Sequence, residues 1–238
     1  MFEMKDLELN LFQKEIVICD YDGVIQGIDI LWTRKILEKK ELFGKYFDFS
    51  KISDKDGNIK LNKILDRTDY YIDKYLLKEG KILPEKIHKK FIDLYMSDKD
   101  FYRKCPFLTM ARALKILSYQ DTISEIHFLS SYPAGYEPDS RKSDIINELY
   151  DTEKIHVHLI DSSIKKSDYI NKNIPDYTCF IDDRPDIIKD VIENTKSTNK
   201  SFIMPYYKYN EDFIKDKEYL TEKYEQKVNV SFYSNDIA

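Results

Sequence analysis

The chain has 238 residues, 42% of them hydrophobic, and a formal net charge of −5. That length suits one large domain or a core with a smaller insertion, and the hydrophobic fraction excludes wholesale disorder. The acidic balance argues against nucleic acid as an obligatory partner.

Residues 1–15 lack the basic start and apolar run of a signal peptide. No stretch approaches the ~20 apolar residues that span a bilayer, so no membrane partner is expected. Cys19, Cys105 and Cys179 show no zinc-type spacing, which points to a reduced, cytoplasmic compartment. Residues 16–24 then read I-V-I-C-D-Y-D-G-V. The apolar, partly β-branched run predicts a strand buried on both faces, as in a parallel sheet. Asp20 and Asp22 fall at its carboxyl end, where α/β folds bind ligands. Gly23 permits a sharp turn just beyond.

Leu31, Trp32, Leu37 and Phe43 predict a helix that Gly44 stops. Residues 47–61 predict a hairpin turning near Asp56-Gly57. Asp54, Asp56 and Asn58 lack the glycine and glutamate positions of a calcium loop and read as a solvated turn. Leu61, Ile64, Leu65, Ile72, Tyr75 and Leu76 have helical spacing ahead of Gly80. Pro84 opens another helix, carrying Ile87, Phe91, Leu94 and Tyr95.

From about Cys105 the pattern alternates. Helices are predicted over residues 108–117, 143–150, 165–170 and 185–192. Strands are predicted over 126–129, ending in Ser130-Ser131, over 155–160, over 178–181, running into Asp182-Asp183, and over 201–204. A helix with Phe213, Leu220 and Tyr224 and an edge strand over 228–233 close the chain. Alternation of this kind predicts right-handed βαβ units. The expected fold is α/β: a Rossmann-like parallel-sheet core from residues 1–24 and 104–238, with helices on both faces. Residues 25–103 form a mainly helical insertion, too long and regular for a plain loop. The insertion carries 18 Lys plus Arg against 14 Asp plus Glu, a tilt that suits an anionic ligand.

Three predicted strands thus end in Asp20/Asp22, Ser130 and Asp182/Asp183, and a lysine pair precedes the last. In a parallel sheet these ends share one edge. Clustered carboxylates call for a hard cation such as magnesium. A nucleophilic aspartate, a second acid, a hydroxyl, a lysine and that ion suit phosphoryl transfer.

The ordered set D-Y-D-G-V, F-L-S-S, Lys165-Lys166 and F-I-D-D-R-P-D resembles the haloacid dehalogenase-like superfamily of phosphohydrolases, over the first strand and residues 105–204. The insertion lies where many members carry a cap. The resemblance implies that Asp20 attacks phosphorus and that Asp22 protonates the leaving oxygen and then activates water. It implies that Ser130 hydrogen-bonds the phosphoryl group and Lys166 neutralises charge. Magnesium would be held by Asp20, the Asp22 backbone carbonyl and Asp182, with Asp183 and Asp186 in support. Lys165 competes with Lys166, which is preferred because an apolar residue follows it four positions on. Ser131 competes with Ser130, which directly follows the apolar run.

Other residues take ordinary readings. Arg141 and Lys142, after the S-S-Y-P-A-G-Y loop, could reach a substrate anion but are read first as a solvated helix start, and Cys19 and Cys179 as small core residues. His127, His156 and His158 lie in or beside strands without ligand spacing and are assigned no metal. The function implied is a magnesium-dependent phosphatase for a small phosphorylated metabolite, a sugar or polyol phosphate slightly ahead of a nucleotide. A 5′-nucleotidase and a catalytically silent binding module are the alternatives.

Overall fold

The computed structural model describes residues 14–196, 199–215 and 229–234. Its centre is a six-stranded sheet in the order β3-β2-β1-β4-β5-β6. The strands are β1 (Glu15–Cys19), β2 (Ile123–Tyr132), β3 (Ile155–Asp161), β4 (Cys179–Ile181), β5 (Ser201–Tyr206) and β6 (Asn229–Ser234). Every neighbouring pair is parallel. Strand order steps outward from β1 through β2 to β3, then jumps back to β4 on the other side of β1. That reversal opens a crevice at the carboxyl ends of β1, β2 and β4.

Alternation along β1 explains why both sheet faces are covered. Val17 and Cys19 join Ile126 and Phe128 in a core with Leu114 and Ile145, which come from α7 (Thr109–Ser118) and α8 (Ser140–Leu149). Ile18, pointing the other way, joins Leu129, Ile170, Ile188 and Phe202. Ile170 and Ile188 belong to α9 (Lys166–Asn173) and α10 (Pro185–Asn194). A strand buried on both sides reads as an unbroken apolar run, and that is what residues 16–19 are.

Between β1 and β2 the chain forms α1 (Ile28–Glu38), α2 (Lys40–Phe43), α3 (Leu61–Leu65), α4 (Ile72–Leu76), α5 (Glu85–Met96) and α6 (Phe101–Lys104). They surround a cluster of their own: Ile36, Phe43, Phe47, Ile52, Ile64, Ile72, Leu76 and Phe91. Three details differ from expectation. The first helix breaks at Lys39. The stretch read as one helix over 61–76 is two short helices, parted where Arg67 turns inward. The hairpin shrinks to a single bridge, Ser53 with Ile59, around an Asp54 side chain that accepts from the Asp56 and Asn58 amides.

The two crossings between this segment and the sheet lie side by side. Gly27 N donates to Pro106 O at 3.0 Å and Leu108 N to Ile25 O at 2.9 Å. Buried Gln26 donates to the Tyr102 and Cys105 carbonyls and accepts from the Tyr21 hydroxyl. After β5 a short helix α11 (Glu211–Lys215) follows; Leu220 and Tyr224 lie outside the described residues. Cys19 and Cys105 are buried and Cys179 is partly so, all as free thiols. Among the described residues no helix is long and apolar enough to cross a membrane.

Candidate active site at the carboxyl edge of the sheet

β1 ends one residue before Asp20, and β4 one residue before Asp182. Because these strands are adjacent and parallel, their carboxylates meet. Ligand oxygens of Asp20, Asp182 and Asp183 all lie within 4.8 Å of one another, and all three residues are buried. Lys166, at the first position of α9, reaches into this group. Its Nζ is 2.8 Å from Asp20 Oδ1 and 2.7 Å from Asp182 Oδ2. Burial alone would lower the Lys166 pKa, but Asp182 and Asp20 outweigh it and keep the ammonium charged. Lys165 points away, to Asp190 on α10.

Gly23 makes room for the cluster. Its φ is +77°, and a Cβ there would sit 2.2 Å from Asp183 Oδ2. That oxygen accepts instead from the Tyr209 hydroxyl at 2.6 Å. Burial, then Asp182 and Asp20, push the Asp183 carboxyl well above the usual range. Its Oδ1 is buried with no hydrogen-bond partner among the described residues. Three buried carboxylates against one lysine, with an orphaned oxygen, fit a hard divalent ion bound by oxygen ligands. Asp186 does not join them: it pairs with Arg184, and its side chain is 64% exposed.

A second group forms beside the first. Lys142, in the first turn of α8, is only 3% exposed. Its Nζ lies 2.5 Å from Asp22 Oδ2 and 2.7 Å from Ser130 Oγ. Burial pushes the Asp22 carboxyl up, the Lys142 ammonium pulls it down, and the balance stays above the usual range. The solvated helix start expected at residues 141–142 is therefore corrected for both. Arg141 binds Asp139 and the Tyr95 and Asp98 carbonyls. Lys142 was legible only as an anomaly. A cation in the first turn of a helix opposes the dipole and needs an anion to hold it there. Ser130 is buried within β2, which runs two residues past it to Tyr132, so it lies short of the strand tip.

Over this edge lies a cavity of about 400 Å³. Its floor includes Asp22, Gly23, Ser131, Lys142 and Asp183, and its walls come largely from the inserted helices. Those walls are aromatic. Trp32 stands 4.6 Å from Phe91 and 5.2 Å, edge-on, from Tyr95, measured between ring centroids. Across the cavity Arg184 lies over Tyr70 at 4.9 Å. The buried Trp32 Nε1 has no hydrogen-bond partner among the described residues.

No protein-family model matches the chain, and no curated protein matches it. Solved structures do. A haloacid dehalogenase-like family hydrolase from Streptococcus pneumoniae superposes with a TM-score of 0.54 at 11% identity, over 93% of this chain and 95% of that one. A candidate phosphatase from Clostridium difficile gives 0.53 at 13% identity, over 93% and 95%. The chain has a haloacid dehalogenase-like fold along nearly its whole length.

Proposed function

We infer that this protein is a divalent-cation-dependent phosphomonoesterase working through an aspartyl-phosphate on Asp20. One observation carries the reading: two buried lysines divide the site, Lys166 between Asp20 and Asp182, Lys142 between Asp22 and Ser130. A silent binding module has no use for five charged groups gathered here, four of them buried at such cost. The hydrolase and the candidate phosphatase that are similar in fold are consistent with this activity.

In this reading an Asp20 carboxylate oxygen bonds to phosphorus as the bond to the leaving oxygen breaks. Asp22, its carboxyl pKa raised by burial, gives its proton to that leaving oxygen. It then takes a proton from the water that attacks the aspartyl-phosphate, which frees phosphate and restores Asp20. Lys166 offsets the charge shared by Asp20 and the phosphoryl group, and Ser130 hydrogen-bonds a phosphoryl oxygen. Asp20, Asp182 and the Asp22 carbonyl would hold magnesium, with Asp183 in support. Bound there, the ion supplies charge neutralisation for the phosphoryl oxygens. The inserted residues 25–103 act as a cap that excludes water and recognises the leaving group. The paired crossings at residues 23–27 and 103–106 are where it pivots.

The substrate is a small phosphorylated metabolite. The sequence favours a sugar or polyol phosphate slightly. The aromatic walls favour the second reading, a nucleoside monophosphate, because ring faces suit a flat leaving group better than a polyol. The test is phosphate release from an aryl phosphate and a panel of nucleotides and sugar phosphates, with magnesium and with chelator, for wild type and Asp20→Asn. Magnesium-dependent turnover lost in a folded Asp20→Asn protein is expected. Equal turnover by the two proteins, or none by either on any ester, overturns the proposal.

A further inference from the structure

Away from the catalytic edge, β2 and β3 gather four metal-binding side chains on one sheet face. His127 pairs in register with His156, and Leu129 with His158. His156 and His158 are two apart on one strand, as are Glu125 and His127 on the next, so all four point the same way. This is the face that Ile18 and Leu129 share with α9. The imidazoles stack, His127 on His156 at 4.8 Å and on His158 at 5.1 Å between centroids. Linear spacing hides this, because the set assembles only through cross-strand register.

We propose that Glu125, His127 and His156 form a second metal site, for zinc or a like divalent transition ion, separate from the carboxylate cluster. One ligand atom from each lies within 4.8 Å of the others. Two imidazoles and one carboxylate are a zinc donor set that leaves a position for water. Nitrogen donors also distinguish it from the all-oxygen site, which suits magnesium. Glu125 is 45% exposed in its side chain, so it can turn to close the set and an ion can enter.

The surroundings complete the argument. His127 Nε2 is 2.7 Å from Glu125 Oε2, and its Nδ1 is 2.8 Å from His158 Nε2. His158 Nδ1 in turn is 3.0 Å from the Tyr169 hydroxyl on α9. Without an ion, a proton on His127 Nε2 bridges to Glu125, and His127 Nδ1 accepts from His158. With an ion, that proton leaves and the metal takes its place between His127 Nε2 and Glu125. The His158 Nε2 proton passes to His127 Nδ1, which then donates to His158 Nε2; His158 takes up one proton from solvent at Nδ1, in exchange for the one released, and donates it to Tyr169, so both imidazoles stay neutral. A ligating histidine almost always donates its other ring N–H in this way, and the outer partner fixes its tautomer.

The experiment titrates zinc into the chelator-stripped full chain with magnesium in excess to occupy the carboxylate site, reading bound zinc by competition with a chromophoric chelator. Cobalt absorption serves as a second readout. His127 is buried, so the variants are His156→Gln and Glu125→Gln, each checked for an unchanged melting temperature without metal. One zinc per chain in wild type, at micromolar or lower Kd, is expected, with its loss or a tenfold or greater weakening in both variants. His158→Gln should weaken binding ~10–100-fold, as outer partners do. No zinc bound by wild type at micromolar concentrations overturns the site. So does equal stoichiometry and affinity in wild type and His156→Gln.

Discussion

The Lys142 ammonium and the Asp22 carboxylate lie 2.5 Å apart, although 120 residues separate them in sequence. The lysine also touches Ser130 Oγ, so it fixes the rotamers of two groups assigned to the phosphoryl end of the reaction. Truncating it as Lys142→Met leaves the half-buried Asp22 unpaired and free to turn from the leaving oxygen. We predict a fall in kcat of about 10²-fold, the lower end of general acid–base help. Groups that act as a unit are not additive. Lys142→Met should therefore add little to the loss already caused by Asp22→Asn. Multiplicative losses in the double variant would separate the two roles.

Gly23 and Asp183 make a second testable pair. A methyl group at residue 23 collides with Asp183 Oδ2, and the positive φ strains any side chain. Strain of this sort costs on the order of 1–3 kcal/mol. Gly23→Ala should lower the melting temperature and raise the magnesium concentration for half-maximal activity, because Asp183 is pushed off Tyr209. An unchanged magnesium requirement would mean that Asp183 has no part in holding the ion.

Asp98 gives a prediction in pH. Burial alone would raise its carboxyl, but hydrogen bonds from Lys35 and Lys104 prevail and hold it at about 2. The folded value lies below the ordinary aspartate value of 3.8. The stability it contributes is therefore present above pH 4 and is lost as pH falls towards 2. Lys35 belongs to α1 and Lys104 to α6, so the carboxylate ties the two ends of the inserted segment. Asp98→Asn should lower the melting temperature at neutral pH, and the gap from wild type should close between pH 4 and pH 2. A constant gap across that range would assign the loss to packing.

Each sheet strand was legible for a local reason. Residues 16–19, 126–129 and 178–181 are short, mainly apolar runs, broken only by His127 and Thr178, as parallel strands buried on both faces are. The carboxyl-edge motifs followed, because strand ends in one sheet share an edge. What was not legible depends on residues far apart. The helix read over 61–76 breaks because Arg67 buries itself against Asp29, and α1 must be in place before that pays any energetic return. Lys142 looked like a surface lysine until Asp22 and Ser130 came into contact with it. The histidines needed the register of β2 against β3. Periodicity reports burial, whereas these three features are pairings between elements.

The aromatic cavity bears on the leaving group. Trp32 lines it, tilted against Phe91 and edge-on to Tyr95. A purine or pyrimidine offers a flat face to stack, which a polyol lacks. Stacking of a base on an aromatic side chain is worth ~1–3 kcal/mol, or roughly 5- to 150-fold in binding. Trp32→Leu should therefore raise KM for a nucleoside monophosphate by that factor, with kcat little changed. For a polyol phosphate the same variant should change kcat/KM far less. Steady-state kinetics on both esters decide it. Equal losses on the two would make Trp32 a packing residue, and the preference for a flat leaving group would lose its basis.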